Sequence, residues 1–121
     1  MQAFVFDTYA LIEIINGNSG YAKYLDCGVV INEFIFAELC YKFLREGQIE
    51  KSNLYSEKYM QFIMTPDAET IKEAMSFRAN NKKKNLSATD CISYTMSKKL
   101  KIKLLTGDQQ FEKMDDIEFV K

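Results

Sequence analysis

Short runs of β-branched and aromatic residues alternate along this chain with longer stretches whose apolar positions recur at helical spacing. The first run, Ala-Phe-Val-Phe, predicts a strand over residues 3–6 that ends at Asp7, followed by a helix over 8–15. Asn16, Gly17 and Asn18 form a turn signal. A second strand over 28–31 leads into Asn32, a good N-cap for a helix over 33–45, and Gly47 closes that helix just past its C-cap. A helix over 49–58 and a third strand over 59–65 follow. Asp67 caps a helix over 68–79, residues 80–85 make a polar loop, and Ser87 caps a helix running to about residue 100. A strand over 102–105, a short turn or helix over 107–112 and a strand over 117–120 complete the series. Strands alternating with helices in this way predict an α/β fold around a mainly parallel sheet of about five strands.

Composition narrows the picture. With 121 residues, 47% of them hydrophobic, the chain suits one domain, 1–121, with one core. It has no internal repeat and no linker-like segment, and Pro66 is its one proline. A formal net charge of -1 argues against binding nucleic acid by bulk charge, though a local basic patch stays open. The longest apolar runs, at 29–31 and 34–37, are far too short to cross a bilayer. No charged region precedes a long apolar stretch near Met1, so no signal peptide, no membrane association and a cytoplasmic location are expected. Cys27, Cys40 and Cys91 are odd in number and lack CxxC spacing, which suits thiols packed as small hydrophobes in a reducing compartment.

The candidate chemistry rests on what is missing. The chain has no histidine, so hydrolysis here must run on carboxylates, hydroxyls, lysines or a metal that carboxylates hold. Asp7 ends the first strand, Asp90 lies in the first turn of the helix before the fourth strand, and Asp108 lies just past that strand. Right-handed β-α-β connections bring such positions to one sheet edge, where ligands of parallel sheets bind. A fourth acid comes from the helix over 33–45. Helix geometry favours Glu33, because Glu38 lies about six residues into the helix, roughly 9 Å below the sheet edge at 1.5 Å per residue. Clustered carboxylates repel one another, and an oxygen-only ligand set suits Mg²⁺ or Mn²⁺. Such a site supports phosphodiester hydrolysis by metal-activated water. Each acid also has a plainer explanation: Ser87-x-x-Asp90 is a capping box, Asp7 a helix cap, Asp108 a turn residue and Glu38 a solvent-facing helix position.

Three segments together resemble the PIN domain family, especially its small VapC-type toxin ribonucleases. They are FVFDTYALIE at the start, INEFIFAELCY in the middle and ATDCISYTMSKKLKIKLLTGDQQF near the end. The resemblance covers nearly the whole chain. It implies a three-layer α/β/α fold with strand order 3-2-1-4-5. It also implies a catalytic, metal-binding set of Asp7, Glu38, Asp90 and Asp108, supported by Thr106, with Glu38 preferred over Glu33. Mg²⁺ or Mn²⁺, cleavage of RNA, a homodimer and inhibition by a cognate antitoxin are further implications. Two departures stand out. Tyr9 replaces a small polar residue common in the family, and Cys91, Ser93 and Tyr94 stand where alanine is frequent. The alternatives are a non-catalytic PIN-like module that binds metal or RNA, and an RNA-processing nuclease without an antitoxin.

Lys82, Lys83 and Lys84 precede the Asp90 helix and are candidates for meeting RNA phosphates, against the plainer view of a solvated charge run. Lys98, Lys99, Lys101 and Lys103 fall at the far end of that helix and suit its C-terminal dipole. A receiver domain lacks its acidic pair here, because Asp7 stands alone. A D-x-D-x-T phosphatase is excluded by Tyr9 at its second acid position.

Overall fold

A computed structural model describes residues 1–121. Strands β1 (Ala3–Phe6), β2 (Gly28–Val30), β3 (Lys103–Thr106) and β4 (Ile117–Phe119) form one parallel sheet in the order β2-β1-β3-β4. Val5 on β1 stands opposite Val30 on one side and Leu104 on the other, and Leu104 in turn faces Ile117. Phe4, Val5 and Phe6 are all buried. A central parallel strand covered on both faces needs such an uninterrupted apolar run.

Helices α1 (Thr8–Ile15), α2 (Glu33–Arg45), α3 (Ile49–Tyr59), α4 (Ala68–Asn80) and α5 (Ala88–Leu100) flank the sheet. Their starts are set by side chains that satisfy the first free amides. Asn32 accepts from the amides of Phe34 (3.0 Å) and Ile35 (2.9 Å), and Asp67 accepts from Thr70 (2.8 Å). Ser87 and Asp90 form a reciprocal capping box. Gly47 follows α2 at φ +73, a left-handed conformation that suits glycine. Aromatic pairs join the helices: Phe43 stacks on Tyr55 between α2 and α3 at 5.8 Å, and Phe77 meets Tyr94 between α4 and α5 at 5.4 Å.

The strand expected over 59–65 does not form. α3 continues to Tyr59, a 3₁₀ turn occupies Met60–Phe62, and one isolated parallel bridge joins Ile31 to Ile63. Ile31 donates its amide to the Phe62 carbonyl (3.1 Å) and its own carbonyl accepts from Met64 (2.8 Å). The ladder stops there because Pro66 has no N–H to continue it and Asp67 already caps α4. The five-strand order 3-2-1-4-5 is thus reduced to four strands, with its outer member present as a single bridge. A 3₁₀ segment over Ser19–Tyr24, capped by Asn18, was not signalled by periodicity.

All three cysteines are free; Cys91 is buried and the other two partly so. No helix is long and apolar enough to cross a membrane. The lysines at the end of α5 serve local structure: Lys98 pairs with Asp116 (2.8 Å), Lys99 with Glu73 (3.2 Å), and Lys101 caps the helix at φ 58.

Candidate active site

The carboxyl edge of the sheet collects acids from four separate segments. Asp7 is the first residue past β1 and caps α1, its Oδ1 accepting from the Ala10 amide at 2.9 Å. Its Oδ2 accepts from the hydroxyl of Thr106, the last residue of β3. The Thr106 oxygen in turn accepts from the Asp108 amide (3.0 Å), and Asp108 Oδ1 accepts from Gln110 (3.0 Å) to cap a 3₁₀ turn over Gln109–Phe111. Asp90 Oδ2 accepts from the Ser87 amide at 2.9 Å. Glu38 Oε1 accepts from the Thr8 hydroxyl at 2.6 Å.

These acids surround one cavity of about 130 Å³, lined by Asp7, Thr8, Tyr9, Glu38, Thr89, Asp90, Ser93 and Asp108. The capping bonds of Asp90 and Asp108 and the Thr8 bond of Glu38 each use only one carboxylate oxygen. The second oxygen of each has no hydrogen bond from the protein. Caps and ligands are therefore compatible uses of the same side chains.

Burial, more than mutual repulsion, perturbs the group. Burial pushes the Asp7 carboxyl up to about 7, against the lowering effect of its bonds to Thr106 and Ala10, and the charges of Asp90 and Asp108 add to the rise. Burial also raises Asp90, partly offset by its Ser87 bonds and reinforced by Asp108 and Glu38. No lysine or arginine forms a salt bridge with any of the four. Four acids without a protein counter-charge are a natural place for a divalent cation.

The donors fit a hard ion, all being carboxylate or hydroxyl oxygens. No three His, Cys, Asp or Glu side chains close into a ready-made ligand cage.

Glu33 lies outside the cavity, correcting the preference drawn from helix geometry. Its Oε1 is buried without a hydrogen-bond partner. α2 packs against α1, so its second turn passes Thr8 and carries Glu38 into the site. Lys82, Lys83 and Lys84 are exposed on a 3₁₀ turn and shape a separate open depression with residues 79–81. They share no lining residue with the acidic cavity.

Sequence reasoning missed Thr8 and the structural weight of Ser93. Ser93 is buried and its Oγ accepts from Asn32 Nδ2 at 3.1 Å, tying the start of α2 to α5 beside the cavity. Its position three residues after Asp90, on the same helix face, was the available signal.

A family model described as PIN domain matches residues 4–117. Among solved structures, the chain is similar to a DNA-bound VapBC from Salmonella typhimurium, with 17% identity and a TM-score of 0.75, covering 98% of this chain and 97% of that one. A toxin-antitoxin complex from Klebsiella pneumoniae shares 16% identity at a TM-score of 0.74, covering 95% of each chain. VapBC-1 from nontypeable Haemophilus influenzae shares 16% identity at a TM-score of 0.73, covering 98% and 96%. At these identities the likeness speaks for the fold. No curated protein sequence matches the chain.

Proposed function

The chain belongs to the PIN domain family, and on that premise we propose that it is a metal-dependent endoribonuclease, the toxin of a toxin–antitoxin pair. One observation carries this proposal. Acids from four distant segments line a single cavity with no protein counter-charge, and burial pushes one of them up to about 7.

In this function Asp7, Glu38, Asp90 and Asp108 would hold Mg²⁺ or Mn²⁺. When bound, the ion would supply a lowered water pKa and charge stabilisation at a phosphoryl oxygen. The remaining roles belong to the protein's own groups. Thr106 orients Asp7 and Asp108 through its two hydrogen bonds, and Thr8 orients Glu38. Thr106 is not the nucleophile, since its hydroxyl proton is committed to Asp7 and no histidine is present to remove it. Lys82, Lys83 and Lys84 give an exposed positive turn ahead of α5 that would meet RNA phosphates.

Several solved neighbours are themselves described as toxin-antitoxin or VapBC complexes, which supports a protein antitoxin as partner here. Phe34, Tyr41 and Leu44 on α2 are exposed apolar side chains that a homodimer contact or an antitoxin segment would cover. A cytoplasmic location belongs to the same proposal. The toxin assignment is tested by expressing the chain alone: growth arrest is expected, with relief by Asp90→Asn and by co-expression of a neighbouring small reading frame. Unimpeded growth at high levels of soluble wild-type protein would count against a toxin.

A further inference from the structure

Tyr9 is the one apolar side chain lining the acidic cavity. Its ring rests on the Thr106-Gly107-Asp108 turn with no space between them. A Cβ added at Gly107 would stand 2.3 Å from Tyr9 Cε1, 2.8 Å from Cζ and 2.4 Å from the Val120 carbonyl oxygen. Glycine is required there by this close approach, and the ring is fixed to the same turn that carries Thr106 and Asp108. Tyr9 is half-buried: part of it packs on the core and part forms the cavity wall.

A rigid, neutral aromatic surface contributes nothing to holding a hard cation. It is the surface on which an unpaired nucleobase stacks, because every base offers a π-face and single strands can splay theirs out. Resting on the ribonuclease function proposed above, we infer that Tyr9 is a specificity-determining platform that stacks one unpaired base beside the acidic centre, with Gly107 as the seat that fixes the ring.

The test is a coupling cycle between Tyr9 and single bases. Binding of a short fluorescein-labelled single-stranded RNA is followed by anisotropy in an Asp90→Asn background, which keeps the RNA uncut. An abasic nucleotide is moved through the RNA one position at a time. At one position, Tyr9→Leu and the abasic change should each weaken binding roughly 5- to 150-fold, the range for one stacked base. Combined, they should cost little more than either alone. Tyr9→Phe keeps the ring and should retain that coupling, and Gly107→Ala, which displaces the ring, should weaken binding through the same position. Circular dichroism melts establish that each variant is folded. Losses that add independently at every position, or RNA binding indifferent to Tyr9→Leu, would overturn the role of Tyr9 alone. Wild-type protein that neither binds nor cleaves any RNA would overturn the ribonuclease function, and this inference with it.

Discussion

Thr106 and Asp7, 99 residues apart in sequence, are joined by a buried hydrogen bond in which the threonine hydroxyl donates to the carboxylate. The same hydroxyl oxygen accepts from the Asp108 amide at 3.0 Å. One side chain on β3 thus sets two of the four acids. Thr106→Ser keeps both bonds and should keep most activity. Thr106 is fully buried, and Thr106→Val removes both bonds, costing about 1–3 kcal/mol of stability and roughly tenfold or more in kcat. Steady-state kinetics and thermal melts of the two variants check this.

Asp7→Asn should stabilise the metal-free protein in a pH-dependent way. The folded carboxyl is raised from an ordinary value of 3.8 to about 7. Below about pH 4 both folded and unfolded states are protonated and the group costs nothing. As pH rises to 7 the unfolded state ionises more readily, and stability falls by an amount on the order of 4 kcal/mol. Asparagine avoids that loss. The Tm difference between variant and wild type in EDTA should therefore grow from pH 4 to 7 and level off above. Mn²⁺ should narrow it by stabilising the wild type more. A difference independent of pH would contradict the electrostatic picture.

Glu38→Gln and Glu33→Gln separate cavity position from helix position. Glu38 lines the cavity and Glu33 does not. Glu38→Gln should weaken Mn²⁺ binding about tenfold by calorimetry, with a parallel loss of cleavage. Glu33→Gln should leave both near wild type, and its stability unchanged or higher, since Oε1 of Glu33 is buried without a donor. A dead Glu33→Gln enzyme would reverse the assignment.

Asn32 is fully buried and links two elements of the site, accepting from two α2 amides while its Nδ2 donates to Ser93. Asn32→Ala should cost roughly 2 kcal/mol, combining a lost cap with a lost buried hydrogen bond, and lower Tm by about 5–10 °C. Loss of Tm near zero would show that the cap is dispensable.

Much of this architecture was legible because local signals agreed with the fold. Asn32, Asp67 and Ser87 each cap the helix their positions predict, and the apolar run Phe4–Phe6 falls on the central buried strand. Residues 59–65 misled because Tyr59, Phe62 and Ile63 have strand-like character. The pairing of Tyr59 with Phe62, centroids 6.0 Å apart, instead accompanies a helix end and 3₁₀ turn. Pro66 was visible, but its effect depends on how little ladder precedes it. Helix register alone could not place Glu38, because the direction in which α2 crosses α1 is a property of packing. The Thr8–Glu38 and Asn32–Ser93 bonds span 30 and 61 residues and left no local trace.

The most direct measurement is cleavage of a single-stranded RNA by purified wild-type and Asp7→Asn protein, each with Mn²⁺ and with EDTA, with the product ends identified. Wild type with Mn²⁺ should cut and leave 5′-phosphate and 3′-hydroxyl ends, the products of water attack on phosphorus with the 3′-oxygen as leaving group. Wild type in EDTA and folded Asp7→Asn in either condition should be inactive. Cleavage that survives EDTA or Asp7→Asn, or that yields 2′,3′-cyclic phosphate ends, would contradict a metal-dependent hydrolytic site built on these four carboxylates.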